Sequence, residues 1–331
     1  MKASATQSSD AMNSSPADSL RTALLHTDPL LGRYTPLPRV LCVDRFSEGM
    51  HAWQAYFPDY DGAAAYEGRH PHLESLDGML GTTLGGVPQR IDRKFPIGPR
   101  AVPMLSSLTS WDVGTAGSWD GAYALKLPTL AQARTKALMV KRMGSPWRGK
   151  FRIETYFTYK AEPSDFRLGE RDVHSFFIAF DVMDSHDVRA QGREPIRWWP
   201  SIRYLNCENG ELVRKWQANF HGSEGVLNGP WADIPGGQQD LGFNRSPTKY
   251  QWHYLRFTFD LENHTYVDFN CAGKEFDVAG RKHEMEPPLV GYRGSTDLCS
   301  GLVNAGIGIE TNSDKRCFLY LNSVVFSASE G

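Results

Sequence analysis

Residues 150–160 read KFRIETYFTYK. A strand sends alternate side chains to opposite faces. One set here is Phe151, Ile153, Thr155, Phe157 and Tyr159; the other is Arg152, Glu154, Tyr156 and Thr158. The first set is apolar and suits a core. The second is polar and carries an aromatic ring. This period of two defines a strand with one buried face.

The pattern repeats on both sides. Residues 175–183 (SFFIAFDVM) set Phe176, Ile178, Phe180 and Val182 against Ser175, Phe177, Ala179 and Asp181. Residues 197–206 and 211–219 alternate likewise, joined through Asn209-Gly210, a strong hairpin signal. Further strands are expected at 39–46, 122–127, 137–142, 251–260, 265–270, 302–310 and 316–326, with a tight turn at Asn263-His264. Short alternating runs broken by Gly, Pro, Asn and Asp predict an all-β fold, a single antiparallel β-sandwich over residues 36–331. Residues 1–35 read as a disordered or loosely packed extension. Residues 59–103 and 221–248 are expected as long loops over a concave sheet, and loops of that length are often functional.

Composition narrows the function. The chain has 331 residues, 40% of them hydrophobic, and a net charge of -2. It shows no basic stripe of the kind nucleic-acid binders carry. It has no apolar run of about 18 residues that would span a membrane as a helix. The first residues lack the apolar stretch of an export signal, so a cytoplasmic protein with a small, imported ligand is expected. The cysteines number five, an odd count without a CxxC, which points to free thiols. No Gly-rich loop follows a strand and opens a helix, which argues against a nucleotide.

If sequential strands are neighbours, their polar faces merge into one surface carrying Arg152, Glu154, Tyr156, Asp181, Trp199, Arg203, Lys215, Gln217 and Arg256. Trp and Tyr rings pack against the C–H side of a sugar, and charged and amide groups bond its hydroxyls. Trp199, Tyr156 and Trp231 are the expected platform or lid, with Arg203 and Arg256 as clamps. Glu154 and Asp181 are the expected acid/base pair of a glycoside-cleaving reaction, which needs carboxyls about 5–9.5 Å apart. His174 offers a second route as a base, helped by a divalent metal. His70 and His72 with Glu74 or Asp77 could hold a metal, though their spacing is not diagnostic.

The run Asp44-Arg45-Phe46 followed by Gly49 and Trp53, the segment GSWDGAYAL at 117–125, and the closing strand FLYLNSVVF at 318–326 together resemble the concanavalin A-like lectin/glucanase (LamG-type jelly-roll) superfamily. Within it the chain looks like a bacterial family of intracellular proteins with no activity to transfer. The resemblance implies two packed antiparallel sheets with a sugar on a concave one. It also implies a structural calcium away from the ligand, for which Asp44 and Asn322 on paired terminal strands are the candidates. Glucanases of this fold often carry Glu-x-Asp-x-Glu on one strand, and no such motif occurs here. The reading is therefore a carbohydrate-active protein: a glycoside hydrolase or lyase acting on a small, plain or oxidised glycoside, or a non-catalytic carbohydrate-binding module. A homo-oligomer is compatible with either.

Overall fold

Alternation over short runs gives strands that each have one face to bury, and two sheets sharing a core satisfy them all. The computed structural model describes residues 31–56, 103–107, 118–144, 148–162, 169–184, 196–220, 231–243, 250–283 and 302–330. The strands in chain order are β1 (Arg39–Arg45), β2 (Gln54–Tyr56), β3 (Met104–Ser106), β4 (Ala124–Pro128), β5 (Lys136–Gly144), β6 (Lys150–Ala161), β7 (Val173–Asp184), β8 (Ile196–Trp198), β9 (Ser201–Glu208), β10 (Glu211–Asn219), β11 (Trp231–Gln238), β12 (His253–Asp260), β13 (Thr265–Cys271), β14 (Lys274–Phe276), β15 (Leu302–Thr311) and β16 (Cys317–Ala328).

They form a two-sheet antiparallel β-sandwich. The first sheet runs β14-β13-β12-β6-β16-β4-β3, with β1 also paired to β16; the second runs β11-β10-β9-β7-β15-β5-β2, with β8 beside β7. Phe151, Ile153 and Phe157 of the first sheet meet Phe176, Ile178 and Phe180 of the second in one core. Ring pairs bridge the layers: Phe151–Phe180 at 5.7 Å and Phe157–Phe176 at 5.0 Å between centroids. At the predicted hairpin, Asn209 (φ 52°) and Gly210 (φ 81°) are both left-handed, as a type I′ turn requires.

Two expectations change here. β6 and β7 follow one another in sequence but lie in different sheets: β6 pairs with β12 and β16, while β7 pairs with β15, β9 and β8. The single polar surface is therefore two surfaces on opposite sides of the molecule. Residues 231–238, expected as loop, form the edge strand β11 beside β10. Pro235 is tolerated there because an edge strand leaves some N–H groups unpaired. The expected loop at 59–103 lies outside the described residues except for Pro103, as do 221–230 and 244–249.

Candidate functional site

The outward face of the first sheet carries Glu154, Arg152, Tyr156 and Arg256, and it is closed by the segment leading into β1. Glu154 is 0% exposed. Its Oε1 accepts from the Thr35 N–H at 2.7 Å, the Thr35 hydroxyl at 3.1 Å and the Tyr254 hydroxyl at 2.5 Å. Arg152 donates to the Thr35 carbonyl, to Thr258 and to Asp268. Arg256 pairs with Asp268 at 2.8 Å and Glu275 at 3.2 Å. Leu31 and Tyr34 pack on Val325, Tyr156 and Tyr254. These side chains fasten a strap across the sheet. At its margin Trp119 is 50% exposed, with Tyr156 and the Arg33 guanidinium against its ring.

The outward face of the second sheet is built differently, and the register gives its rows. One row across β15, β7, β9 and β10 reads Gly308, Phe177, Arg203, Gln217, continuing to Asp233 on β11. The next reads Gly306, Ala179, Ser201, Asn219, then Trp231. A third holds Asn304 opposite Asp181, bonded at 3.3 Å. From Gly306 to Ser201 the middle row carries small side chains, and Ala179 and Ser201 are fully buried. The Trp231 indole reaches back over this row, 6.5 Å from the Phe177 ring and packed on the cluster of Leu138, Phe177 and Ala179. Gly308 is required by packing: a Cβ there would lie 2.2 Å from the Phe177 ring.

The polar groups on this face are interlocked. The Arg203 guanidinium lies 4.8 Å from the Trp231 ring centre, and its Nε donates to the Gln217 amide oxygen at 3.0 Å. Gln217 Nε2 donates to Asp233 at 2.7 Å, and Lys215 Nζ to the other Asp233 oxygen at 2.8 Å. Those bonds hold the Asp233 carboxyl below its usual range. Burial lowers the Arg203 pKa to about 10, which leaves it charged at neutral pH.

Beside this face, a bulge in β7 between the pairs Glu310/Ser175 and Thr311/Val173 leaves His174 as the extra residue. Its Nδ1 meets the Cys207 carbonyl at 2.6 Å, and Arg134 Nη1 stands 3.0 Å from both ring nitrogens. Its Nε2 is 3.9 Å from Glu310. Burial, then the Arg134 charge, lowers its pKa to about 4. Burial raises that of Glu310.

The expected residues thus divide. Arg203, Lys215, Gln217, Trp231 and Asp181 share the second sheet's outward face. Glu154, Arg152, Tyr156 and Arg256 sit on the first sheet, so Glu154 and Asp181 cannot flank one bond. Trp199 lies half-buried in the link between β8 and β9. The alternating Asn304, Gly306, Gly308 and Glu310 of β15, together with Asp233, complete the face and were not singled out by the sequence reading. The proposed calcium donors do not fit a cation. Both Asp44 oxygens accept from the Lys141 ammonium, at 2.7 and 2.8 Å, and one also from the Trp53 indole. Asn322 turns its oxygen to Ser118 and the Trp119 N–H. Among the described residues no group of three or more His, Cys, Asp or Glu is placed to hold a metal.

The family model described as Domain of unknown function (DUF6772) matches residues 21–87 and 91–330, and the chain belongs to that family. No curated protein matches the sequence. Among solved structures, the chain is similar to the carbohydrate recognition domain of Emp47p (12% identity over 72% of this chain and 91% of that one, TM-score 0.34). It is also similar to a lectin from Bauhinia forficata in complex with GalNAc (8% identity, 69% and 98% covered, TM-score 0.36). A third is the carbohydrate esterase vb_24B_21 from Shiga toxin-encoding bacteriophage phi24B (12% identity, 69% and 90% covered, TM-score 0.33).

Proposed function

We propose that this member of the DUF6772 family binds a small glycoside on the outward face of its second sheet, and that recognition is the task this face performs. One observation carries the reading: the indole of Trp231, the fixed fork of Arg203 and the amide of Gln217 converge over the small side chains of Ala179 and Ser201. An aromatic ring beside planar hydrogen-bonding groups is what a pyranose meets in a binding site.

Binding is favoured over cleavage by spacing. On β15, Asn304 faces Asp181, and Glu310 lies six positions further along. At about 3.3 Å per residue Asp181 and Glu310 are roughly 20 Å apart, against the ~5–9.5 Å of a glycosidase pair, and Asp233, the third acid of the face, stands three strands from Asp181 at about 4.8 Å per strand. Glu154, the other acid of the expected pair, is bound under the strap on the far side.

The test is a panel of monosaccharides and disaccharides titrated against the chain and its Trp231→Ala variant. Saturable binding that weakens sharply in the variant supports the reading. Turnover of a glycoside abolished by Glu154→Gln, in a chain that keeps its fold, contradicts it.

A further inference from the structure

We infer that the ligand of this face carries a carboxylate, a uronic acid or another sugar acid, received by the Arg203 guanidinium beside Trp231. The inference rests on the carbohydrate reading above and narrows its substrate class.

Arg203 stands in the middle of the sheet, between Phe177 on one neighbouring strand and Gln217 on the other. A guanidinium set there loses much of its water and is ordinarily matched by a carboxylate, often through two parallel bonds. Among the described residues no carboxylate accepts from Arg203. Its Nε and Nη2 both donate to the amide oxygen of Gln217, and its plane lies against the Trp231 ring.

Asp233 and Glu310, two of the three acids whose charges reach Arg203, have other direct partners. Asp233 takes Lys215 and the Gln217 amide nitrogen. Glu310 faces Arg134 at 3.4 Å. Gln217 therefore orients the guanidinium without cancelling its charge. A glutamate at that position would have cancelled it.

A guanidinium held by a neutral acceptor and an aromatic ring keeps its charge for an incoming anion. A neutral sugar offers only hydroxyls, whose bonds to a cation are weaker than a carboxylate's. A sugar set against the Trp231 indole reaches Arg203 with a substituent, because the guanidinium lies 4.8 Å from that ring.

Calorimetry on the full chain with methyl β-glucoside and methyl β-glucuronide, and with the matching galacto pair, tests this. The members of each pair differ only in oxidation at C6. The expected result is at least about tenfold tighter binding of a uronate than of its neutral partner. That preference should collapse in Arg203→Gln and in the near-isosteric Gln217→Glu, which supplies an internal carboxylate. Equal affinities in the unmodified chain, or a preference that survives in both variants, would overturn the inference and leave the carbohydrate reading standing. Failure of every sugar to bind would overturn that reading itself. If Arg203→Gln does not fold, Gln217→Glu decides.

Discussion

The guanidinium of Arg203 and the indole of Trp231 meet across an intervening strand, 4.8 Å from carbon to ring centre. Arg203 belongs to β9 and Trp231 to the edge strand β11, with β10 between them. Such a stack fixes both side chains before any ligand arrives, which lowers the ordering cost of binding.

Trp231→Ala is therefore expected to weaken sugar binding about tenfold to a hundredfold, or ~1.5–3 kcal/mol. Trp119→Ala is the control. Its ring is the more exposed of the two, but it stands on the first sheet beside the strap, so affinity should not change. Titration of both variants with the same ligand separates the two faces.

Glu154 is a structural acceptor in this account. Glu154→Ala leaves the Thr35 N–H and the Tyr254 hydroxyl without their shared partner, which should lower stability by about 1–3 kcal/mol. Urea midpoints at unchanged m-value would report it. Sugar affinity should stay within about twofold of the unmodified chain, because the lost bonds lie behind the opposite sheet.

Gly308→Ala should disturb the binding face from below. The added methyl would meet ring atoms of Phe177 at 2.2–2.8 Å. Phe177 must then move or the strand must shift, at about 1–3 kcal/mol. Because Phe177 is the cross-strand neighbour of Arg203, the variant should also bind sugar less well. Thermal unfolding and titration would check the two effects.

The buried bulge histidine makes stability pH-dependent. The folded pKa of His174, lowered to about 4, lies below its ordinary value of 6.5. Between those values the unfolded chain takes up a proton that the folded chain refuses, so stability falls as pH drops through this window. The loss from this group reaches up to about 3 kcal/mol near pH 4. Glu310, with its raised pKa, acts in the opposite direction. His174→Gln should flatten the fall in melting temperature between about pH 6.5 and 4 relative to the unmodified chain.

The strands were legible because their signal is local. KFRIETYFTYK shows its two faces within eleven residues, and Asn209-Gly210 fixes its hairpin with two. Sheet membership is not local. β6 finds its partners about a hundred residues later in β12 and about 170 later in β16, and nothing in the alternation of β6 says which sheet it enters. The assumption that consecutive strands are neighbours held for β9 and β10 and failed between β6 and β7. That failure placed Glu154 and Asp181 on one face when they occupy two.

The missed parts of the site have similar causes. Residues 302–310 alternate Val303, Ala305, Ile307 and Ile309 with Asn304, Gly306, Gly308 and Glu310. The glycines on the outward set were a readable sign that neighbouring side chains pack close onto the strand. Asp233 was hidden because Pro235 and Gly236-Gly237 make residues 231–238 look like a loop, and only pairing to β10 makes them an edge strand.

The central claim is that the ligand sits on the second sheet. Hydrogen exchange of the full chain, measured with and without a saturating sugar, tests it most directly. The account predicts new protection in β9, β10, β11 and β15, around Arg203, Gln217, Trp231 and Gly306, with residues 31–35 and β6 unchanged. Protection confined to residues 31–35, β6 and β12 would contradict it.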